Sequence, residues 1–462
     1  MLLRILVALL AAGSFGLAQP GRRAVSLIVT GGIVVTVDPS GRVLSPGAVA
    51  IDGRDIVGVD TPEALAARFE ARDSIDATGQ VILPGLVNTH THAPMVLYRG
   101  LADDLALMEW LQKYIFPAEA KTVTPEFVRA GTRLAALEMI QSGTTTYADM
   151  YYFEEEIAAV TSEAGLRGVL GQTIIQFPAP DAKTPTDGLA RAAAFIKRFR
   201  GHELIVPALA PHAMYTLDAK TLKAVRALAD QERAPVLIHL AETADEARTS
   251  ARQHRMSPTR YLESLAFWGP RTVAAHGVWL SPADIAILAR RHVGVAHNPE
   301  SNMKLASGSA KVVAMRAAGV AVGLGTDGAA SNNDLDMFEA MRQAAFLAKL
   351  QTMDPRSIPA RTALEMATIG GARVLGMGAE IGSLEAGKRA DLIVVSVDAV
   401  RQTPLYDPLS HLVYVTRGDD VRTTIVNGRV LMRDRKMLTL SERDVLAEAR
   451  MLAGRVKAAV EP

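Results

Sequence analysis

The sequence predicts an α/β protein: a (β/α)8 TIM barrel with a small β-sandwich domain built from both chain ends. Three observations support this. Short apolar strands alternate with helical stretches through the middle of the chain, as in parallel α/β structures. Strand-like segments joined by hairpin-turn dipeptides occupy both ends. Six of the ten histidines stand where the central strands end, the edge of such a barrel that carries its active site.

The first residues resemble a secretory signal peptide. Residues 1–4 carry one positive charge, residues 5–12 are apolar, and small residues precede a predicted cleavage after Ala18. The alternatives are an uncleaved anchor or a misassigned start, but the apolar run is short for a membrane span. We therefore expect residues 1–18 to be removed. The mature protein would be periplasmic or secreted without stable membrane association, and cytoplasmic if the start is misassigned.

Residues 24–84 and 382–440 are predicted to form the β-sandwich domain. Asp52-Gly53 near one end of the chain and Asn427-Gly428 near the other each lie between two strand-like segments. Both dipeptides favour two-residue hairpin turns. Gly31-Gly32 is expected to separate the first two strands of this domain.

Residues 85–381 are predicted to form the barrel. Helical stretches such as 125–141 and 219–231 lie between its strands. An open doubly wound sheet is the alternative, but no glycine-rich phosphate turn follows the first strand. The eight strand candidates end near the following residues: His92, Asp149, Gln172, His212, His239, His276, His297 and Asp327.

Composition excludes several classes of function. Lysine plus arginine (50) balance aspartate plus glutamate (49), and no basic run is present, so we expect a small-molecule substrate and no nucleic-acid partner. The chain has no cysteine. Disulfides, thiolate ligands and cysteine nucleophiles are therefore excluded, and any metal must be held by imidazole and carboxylate. The sequence leaves open whether the protein is a homo-oligomer.

His90, His92, His239 and Asp327 are predicted to bind one divalent metal ion, with Zn2+ favoured and Fe2+ as the alternative. Residues two apart on a strand point to the same side, so both imidazoles of His90-Thr91-His92 can reach one point. The alternative is a pair of polar residues on the barrel rim. A bound divalent ion lowers the pKa of water from about 15.7 towards 7, which provides a nucleophile at neutral pH.

Three residues are predicted to handle the water and its protons. Glu242 follows His239 by three positions, where it could pass a proton between water and substrate; the alternative is an acid facing a helix N-terminus. His276 is either a fourth imidazole ligand or a base for the water. Asp327 could accept a hydrogen bond from that water. The fourth strand ends without a lysine, which disfavours a carboxylated lysine bridging two ions.

The chain resembles the amidohydrolase superfamily, and within it the mononuclear deaminase branch. Residues 83–92 (LPGLVNTHTH) resemble the first-strand motif of that superfamily. Four other stretches resemble the 5′-methylthioadenosine/S-adenosylhomocysteine deaminases and their relatives, which include triazine hydrolases: 92–95 (HAPM), 108–111 (MEWL), 297–308 (HNPESNMKLASG) and 325–342 (GTDGAASNNDLDMFEAMR).

This resemblance implies a metal-dependent hydrolytic deaminase that releases ammonia from an adenine-type nucleoside or a related aminated heterocycle, with hydroxide held on the ion as nucleophile. Glu242 would protonate the purine ring nitrogen, and His276 would activate the water. Glu109 would hold the ribose hydroxyls, and His212 would contact the nucleoside. From the residues alone, Glu109 could instead lie on a solvated helix face, and His212 could be a rim residue bonded to backbone.

Other activities remain compatible with the same residues. Some relatives bind the amino-acid carboxylate of the substrate with arginines after the third strand, but residues 171–177 (GQTIIQF) contain none. Methylthioadenosine, 5′-deoxyadenosine or adenosine is therefore expected rather than S-adenosylhomocysteine. The alternatives are a triazine-type chlorohydrolase or aminohydrolase, a cyclic amide hydrolase, and a non-catalytic homologue, which should have lost metal ligands.

Overall fold

The computed structural model describes residues 21–460. The predicted signal peptide, residues 1–18, lies outside this range. No helix within residues 21–460 combines the length and the apolar character that a membrane span requires.

The described chain forms two sheets and the helices that surround them. The strands are β1 (Arg23–Val35), β2 (Val43–Asp52), β3 (Asp55–Asp60), β4 (Phe69–Asp76), β5 (Gln80–Pro84), β6 (Leu86–Thr91), β7 (Thr144–Tyr151), β8 (Arg167–Ile174), β9 (Ile205–Pro211), β10 (Val236–Leu240), β11 (Thr272–His276), β12 (Gly294–His297), β13 (Val322–Leu324), β14 (Leu392–Ser396), β15 (Val421–Val426), β16 (Arg429–Arg433) and β17 (Lys436–Met437).

The helices lie mainly between successive barrel strands. They are α1 (Pro62–Arg68), α2 (Leu107–Trp110), α3 (Phe116–Thr122), α4 (Pro125–Gln141), α5 (Glu154–Ala164), α6 (Pro185–Phe199), α7 (Ala219–Glu232), α8 (Ala244–His254), α9 (Pro258–Ser264), α10 (Pro282–Arg290), α11 (Pro299–Lys304), α12 (Val312–Ala317), α13 (Met337–Thr352), α14 (Ala360–Ala367), α15 (Ile369–Val374), α16 (Pro408–Tyr414) and α17 (Glu442–Val460).

The barrel comprises β6 to β13, which lie side by side in sequence order and pair in parallel. Between the first and last strands, hydrogen bonds of other kinds close the ring. The Thr89 hydroxyl donates to the Leu324 carbonyl (2.8 Å), and the Asp327 amide donates to the His90 carbonyl (3.0 Å). The predicted (β/α)8 fold is therefore confirmed, and its closure brings the first and last strand ends together.

Several helices begin where the sequence supplies a capping residue followed by proline. The Thr124 hydroxyl accepts a hydrogen bond from the Phe127 amide, which starts α4 at the next residue, a proline. At the start of α10, Ser281 and Asp284 cap each other's backbone amides. A hydroxyl at the cap satisfies an amide that lacks a helical partner, and proline has no amide to satisfy. These caps set where each helix leaves its loop.

The chain ends form one nine-stranded sheet in the order β17-β16-β15-β14-β5-β1-β2-β3, with β4 beside β1. Hydrophobic residues from both ends share a buried cluster, including Val49 and Ile51 of β2, Leu392 of β14 and Ile425 of β15. Gly31-Gly32 does not separate two strands: β1 continues through it with shifts in its pairing to β2. The positive φ of Gly31 (86°) lets the backbone absorb the irregularity without ending the strand.

A buried ion pair connects this sheet to the barrel. The Arg167 guanidinium at the start of β8 lies 3.1 Å from the Asp391 carboxylate, and both side chains are almost fully buried. Asp391 also accepts a hydrogen bond from the Asn427 amide (2.6 Å) in the turn between β15 and β16. The pair thus links the N-terminal side of a barrel strand to the strands of the terminal sheet.

Helix α17 packs against the barrel helices α3 and α4. Its buried residues Val445, Ala449, Leu452 and Val456 recur at helical spacing and form one apolar face. The Lys121 ammonium of α3 donates to the carbonyl of Ala459 (3.0 Å). Helix α17 therefore supports α3 and α4, which lie between the first and second barrel strands.

Candidate metal centre and substrate cleft

The four residues predicted to bind a metal ion lie together at the C-terminal ends of the barrel strands. The Asp327 Oδ1 atom is 3.4 Å from His90 Nε2 and 3.3 Å from His92 Nε2. The His239 Nε2 atom is 3.3 Å from His92 Nε2. Two groups of three residues share His90. One group adds His92 and Asp327, and the other adds His239 and His276. Within each group, the three donor atoms lie within 4.8 Å of one another.

Hydrogen bonds at the far ring nitrogens orient these imidazoles. The Nδ1–H of His92 donates to the Met150 carbonyl (2.7 Å), and that of His239 donates to the His212 carbonyl (2.8 Å). Both rings therefore direct Nε2 towards the shared centre, as metal-binding histidines do. His90 Nε2 is buried without a hydrogen-bond partner among the described residues. An unpartnered buried nitrogen beside imidazoles and a carboxylate fits a divalent metal ion.

The charge states of the group also suit a cation. Burial lowers the pKa of His90 to about 4 and that of His239 well below its usual value, so both rings are neutral. Burial would also lower the pKa of His92, but the hydrogen bond to Asp327 and the negative charges of Asp327 and Asp149 together outweigh burial and raise the pKa to about 9. Burial opposes ionisation of Asp327, yet the two histidines hold its pKa well below the usual range. A bound cation would replace the His92 proton.

His276 lies opposite these ligands. Its Nε2 atom is 3.8 Å from Glu242 Oε2 and 3.9 Å from Asp327 Oδ2. Its Nδ1–H donates to the Asn302 side-chain oxygen (2.9 Å), which leaves Nε2 free to accept a proton. His276 and Asp327 both have positive φ, 73° and 65°. Such a conformation is strained for residues other than glycine and persists where the surroundings impose it, often at functional sites.

Two residues that the sequence did not single out hold Asp327 in place. The Ser301 hydroxyl at the start of α11 donates to Asp327 Oδ2 (2.7 Å). The Gly328 amide donates to Asp327 Oδ1 (2.8 Å). Ser301 is buried, so the hydroxyl has no competition from bulk water. Ser301 lies in the HNPESN segment at the end of the seventh barrel strand, and this position could have identified it as a site residue from the sequence.

Glu242 is a buried carboxyl that faces the cleft. Burial raises its pKa, and the carboxylate forms no hydrogen bond within residues 21–460. The alternative role of an acid at a helix N-terminus belongs instead to Glu246, whose carboxylate accepts from the amides of Ala241 and Glu242 (2.9 Å each). Glu246 thus fixes the backbone of Glu242, and the Glu242 side chain remains available to a bound molecule.

The residues above form the floor of a cleft that we call the inner cleft. It encloses about 600 Å3 of space between protein atoms, part of it open to solvent. Its walls are mainly apolar, with polar groups at a few points; wall residues include Met95, Leu107, Trp110, Leu111, Ile115, Phe116, Glu119, Tyr152, Thr173, His212 and Leu305.

The structure places His212 in the inner cleft but not Glu109. The His212 ring lies 4.8 Å from the His239 ring and accepts or donates a hydrogen bond at Thr216 (3.2 Å). Burial lowers the pKa of His212 to about 3, so the ring is neutral. Glu109 lies on the exposed side of α2, where it binds the Lys113 ammonium (2.8 Å). Its proposed contact with ribose stays a prediction.

A different carboxylate, Glu119 of α3, lines the inner cleft. Burial raises its pKa to about 7, with the neighbouring Tyr151 phenol acting in the opposite direction. Leu111, Ile115 and Glu119 recur at intervals of four and form one face, from which Glu109 is absent. This periodicity could have revealed Glu119 from the sequence. However, the π-helical turn Leu111–Ile115 changes the number of residues per turn, and this change obscures the periodicity in the sequence.

Comparisons with known proteins agree with this geometry. The sequence profile described as "Amidohydrolase family" matches residues 81–431. A 5-methylthioadenosine/S-adenosylhomocysteine deaminase of Syntrophobacter fumaroxidans is 47% identical over 437 residues, covering 95% of this chain and 100% of that one. A 5′-deoxyadenosine deaminase of Methanococcoides burtonii is 44% identical over 429 residues, covering 92% and 97%.

Solved structures give the same result. An adenosine deaminase from Xanthomonas campestris with bound zinc superimposes with a TM-score of 0.93 at 40% identity, over 95% of this chain and 100% of that one. A triazine hydrolase from Arthobacter aurescens shares the fold, with a TM-score of 0.85 at 24% identity over 92% and 99%. The resemblance seen in the sequence motifs is confirmed: the chain belongs to the amidohydrolase family.

Proposed function

We propose that this protein is a hydrolytic deaminase of an adenine-type nucleoside and that it works with a single zinc ion. One observation carries the proposal: the buried Glu242 carboxylate lies beside the metal centre, 3.8 Å from His276 Nε2, and forms no hydrogen bond among the described residues. Burial raises its pKa, so Glu242 can hold a proton and deliver it to a basic ring nitrogen. The deaminase names of the relatives, at 44–47% identity, support the same substrate class.

His90, His92, His239 and Asp327 would hold the ion. Three imidazoles and one carboxylate are ligands that zinc prefers, and the zinc in the Xanthomonas campestris structure supports this choice of metal. A bound divalent ion lowers the pKa of water and so supplies the nucleophile.

The remaining residues are placed to move protons. His276 Nε2 can accept the proton of a water molecule, because Nδ1–H is already bound to Asn302. Glu242 would protonate the ring nitrogen, which draws electrons from the adjacent amine-bearing carbon and prepares it for addition of the water oxygen. A second proton transfer to the amine then releases ammonia and leaves a ring carbonyl.

The inner cleft can bind a flat ring joined to a polar sugar. Trp110, Phe116 and Leu305 provide apolar walls. We assign to Glu119 the contact with sugar hydroxyls that the sequence motif suggested for Glu109. A carboxylate accepts hydrogen bonds from two neighbouring hydroxyls, and Glu119 lines the cleft whereas Glu109 does not. His212, also in the cleft, offers a neutral imidazole to the nucleoside.

The test is ammonia release by purified, zinc-loaded protein from adenosine, methylthioadenosine, 5′-deoxyadenosine, guanine, cytosine and an aminated triazine. We expect release from the adenine nucleosides. Release from none of them, or from the triazine alone, would overturn the proposal. Glu242→Gln should keep its metal by elemental analysis and lose activity about 10²- to 10⁴-fold. Glu109→Gln, a matched change at an exposed carboxylate, should retain most of the activity.

A further inference from the structure

Asp149, near the end of β7, is a buried carboxyl that holds the chain on both sides of His92. Its Oδ1 atom accepts a hydrogen bond from the Ala93 amide (2.5 Å). The Thr91 hydroxyl lies 2.8 Å from the same oxygen. The residue after Asp149, Met150, accepts the Nδ1–H of His92 at its carbonyl (2.7 Å). Strand β7 therefore fixes both the backbone and the ring of a predicted metal ligand.

Glu154, the first residue of α5, is a second buried carboxyl within hydrogen-bonding distance of Asp149. Its Oε1 atom accepts a hydrogen bond from the Tyr151 amide (2.8 Å). The other oxygen of each carboxyl, Asp149 Oδ2 and Glu154 Oε2, is buried without a hydrogen-bond partner among the described residues. Both oxygens would lose their hydration without compensation if both carboxyls were ionised. A single proton on either carboxyl would serve both, because it would be donated to the other.

The charged groups around this pair favour such a proton. Burial raises the pKa of both carboxyls, and the charge of Asp149 raises that of Glu154 further. Asp181, in the loop after β8, and Glu155 oppose ionisation of Glu154 in the same way. His92 is the charged neighbour that acts in the opposite direction on Asp149. Carboxylates therefore outnumber cations around the pair.

The donors on the adjoining elements bind other carboxylates. The Arg191 Nε atom of α6 is 3.2 Å from Asp181, and its Nη2 atom is 2.5 Å from Glu155. The side-chain amide of Gln172, at the end of β8, donates to Asp181 (2.9 Å). Gln172 Oε1 is itself a buried acceptor without a partner within residues 21–460. The region thus has an excess of acceptors, which a proton on the pair would reduce.

We propose that Asp149 and Glu154 share one proton and that the pair holds the metal ligand His92 in position. The inference rests on the proposed metal site, because it takes His92 as a ligand, but it does not depend on the substrate. With the proton between the carboxyls, Asp149 Oδ1 stays on the Ala93 amide and Glu154 Oε1 stays on the Tyr151 amide. Without it, two adjacent buried charges would repel each other and loosen the hold on His92.

Infrared difference spectroscopy of the zinc-loaded protein tests the shared proton directly. A protonated carboxyl has a carbonyl stretch that a carboxylate lacks. At neutral pH, the spectrum of the unaltered protein minus that of Glu154→Gln should contain this band, because the variant removes the proton from the pair. Glu155→Gln is the matched control: Glu155 is bound to Arg191, so its difference spectrum should lack the band. Absence of the band for Glu154→Gln would overturn the inference.

Zinc affinity, measured by competitive chelator titration, tests whether the pair positions His92. In Glu154→Gln the side-chain amide can donate to Asp149 in place of the shared proton, whereas Glu154→Met has similar size and no donor. We expect the zinc Kd to rise less than about threefold in Glu154→Gln and about tenfold or more in Glu154→Met. An equal rise in both variants would contradict the role of the donated proton.

The double variant Asp149→Asn/Glu154→Gln provides a second measurement. Its two amide oxygens would stay on the Ala93 and Tyr151 amides, so both NH2 groups would face each other and neither could accept. We expect the zinc Kd to rise about 10- to 100-fold, although each single change alone has little effect. Thermal unfolding confirms that the variants are folded. An unchanged Kd in the folded double variant would refute the positioning role.

Elemental analysis distinguishes the proton from a cation. A second stoichiometric metal ion in the unaltered protein that is lost in Glu154→Gln would overturn the shared proton, because the two oxygens would then bind that ion. One metal ion in both proteins supports it.

Two results separate this inference from the proposed function. The infrared band and the raised Kd of the double variant, with no ammonia released from any nucleoside, would support the carboxyl pair and refute deamination. Ammonia release by the unaltered protein, with an unchanged Kd in the double variant, would support deamination and refute the positioning role.

Discussion

Replacing Glu119 by glutamine tests which carboxylate holds the substrate sugar. Glutamine has nearly the same shape as glutamate, so the buried position on α3 should accept it without a cavity. In an assay above the Glu119 pKa of about 7, the change removes a negative charge that a pair of hydroxyls would otherwise face in the inner cleft. Hydrogen bonds to charged groups contribute about 1.5–3 kcal/mol, whereas neutral ones contribute about 0.5–1.5 kcal/mol.

The expected loss is the difference between charged and neutral hydrogen bonds, about 1–1.5 kcal/mol for each of the two hydroxyls. Since about 1.36 kcal/mol corresponds to a factor of ten, a total loss of about 2–3 kcal/mol means that Glu119→Gln should lower kcat/KM for adenosine about 30- to 150-fold. The effect should be far smaller for free adenine, which has no sugar hydroxyls. The assay is ammonia release by zinc-loaded protein with both substrates, together with thermal unfolding to confirm that the variant is folded.

Glu109→Gln is the matched control. Glu109 is exposed and bound to Lys113, so its replacement should change kcat/KM by less than about twofold. A large loss in Glu109→Gln with little change in Glu119→Gln would refute the assignment. That result would mean that the segment from α2 to α3 is rotated about its helix axis when substrate binds, so that Glu109 faces the cleft.

Three further predictions concern the metal centre and its support. His90→Ala should abolish stoichiometric metal binding, measured by elemental analysis, and full metal content would contradict the site. Ser301→Ala removes the hydroxyl that holds Asp327 and should weaken zinc affinity or activity about 10- to 100-fold in a competitive chelator titration; an unchanged affinity and rate would show that Ser301 is dispensable. Arg167→Ala leaves Asp391 buried without its cation and should lower the free energy of unfolding by about 3–5 kcal/mol in denaturant titration, whereas a loss below about 1 kcal/mol would show that the pair adds little.

The metal centre could be predicted from the sequence because its geometry follows from strand ends. Strands of a barrel finish at one edge, so histidines at their ends converge whatever the intervening helices do. His90 and His92 also share a side because they are two residues apart. These relations depend on chain direction and spacing alone, and the structure reproduces them.

The substrate end of the cleft was harder to predict because it depends on helical phase. The motif at residues 108–111 drew attention to Glu109, whose contact with the sugar stays a prediction; the structure places this residue on the exposed side of α2, before a π-helical turn. Glu119, which lies beyond that turn, lines the inner cleft. Ser301 and Asn302 were also missed as individual contacts, since a short helix after a strand does not reveal which of its polar residues points back to the site.

Helix α17 packs against α3, and this contact connects the last described helix to the inner cleft. Helix α3 carries both Phe116 and Glu119, and α17 packs on its outer side. His90, His239 and His276 instead lie in strands β6, β10 and β11. Loosening the last helix, by truncation or by a fused tag, would disturb discrimination between nucleosides while metal loading stayed intact. We therefore expect substrate selectivity to respond to this remote contact separately from metal binding.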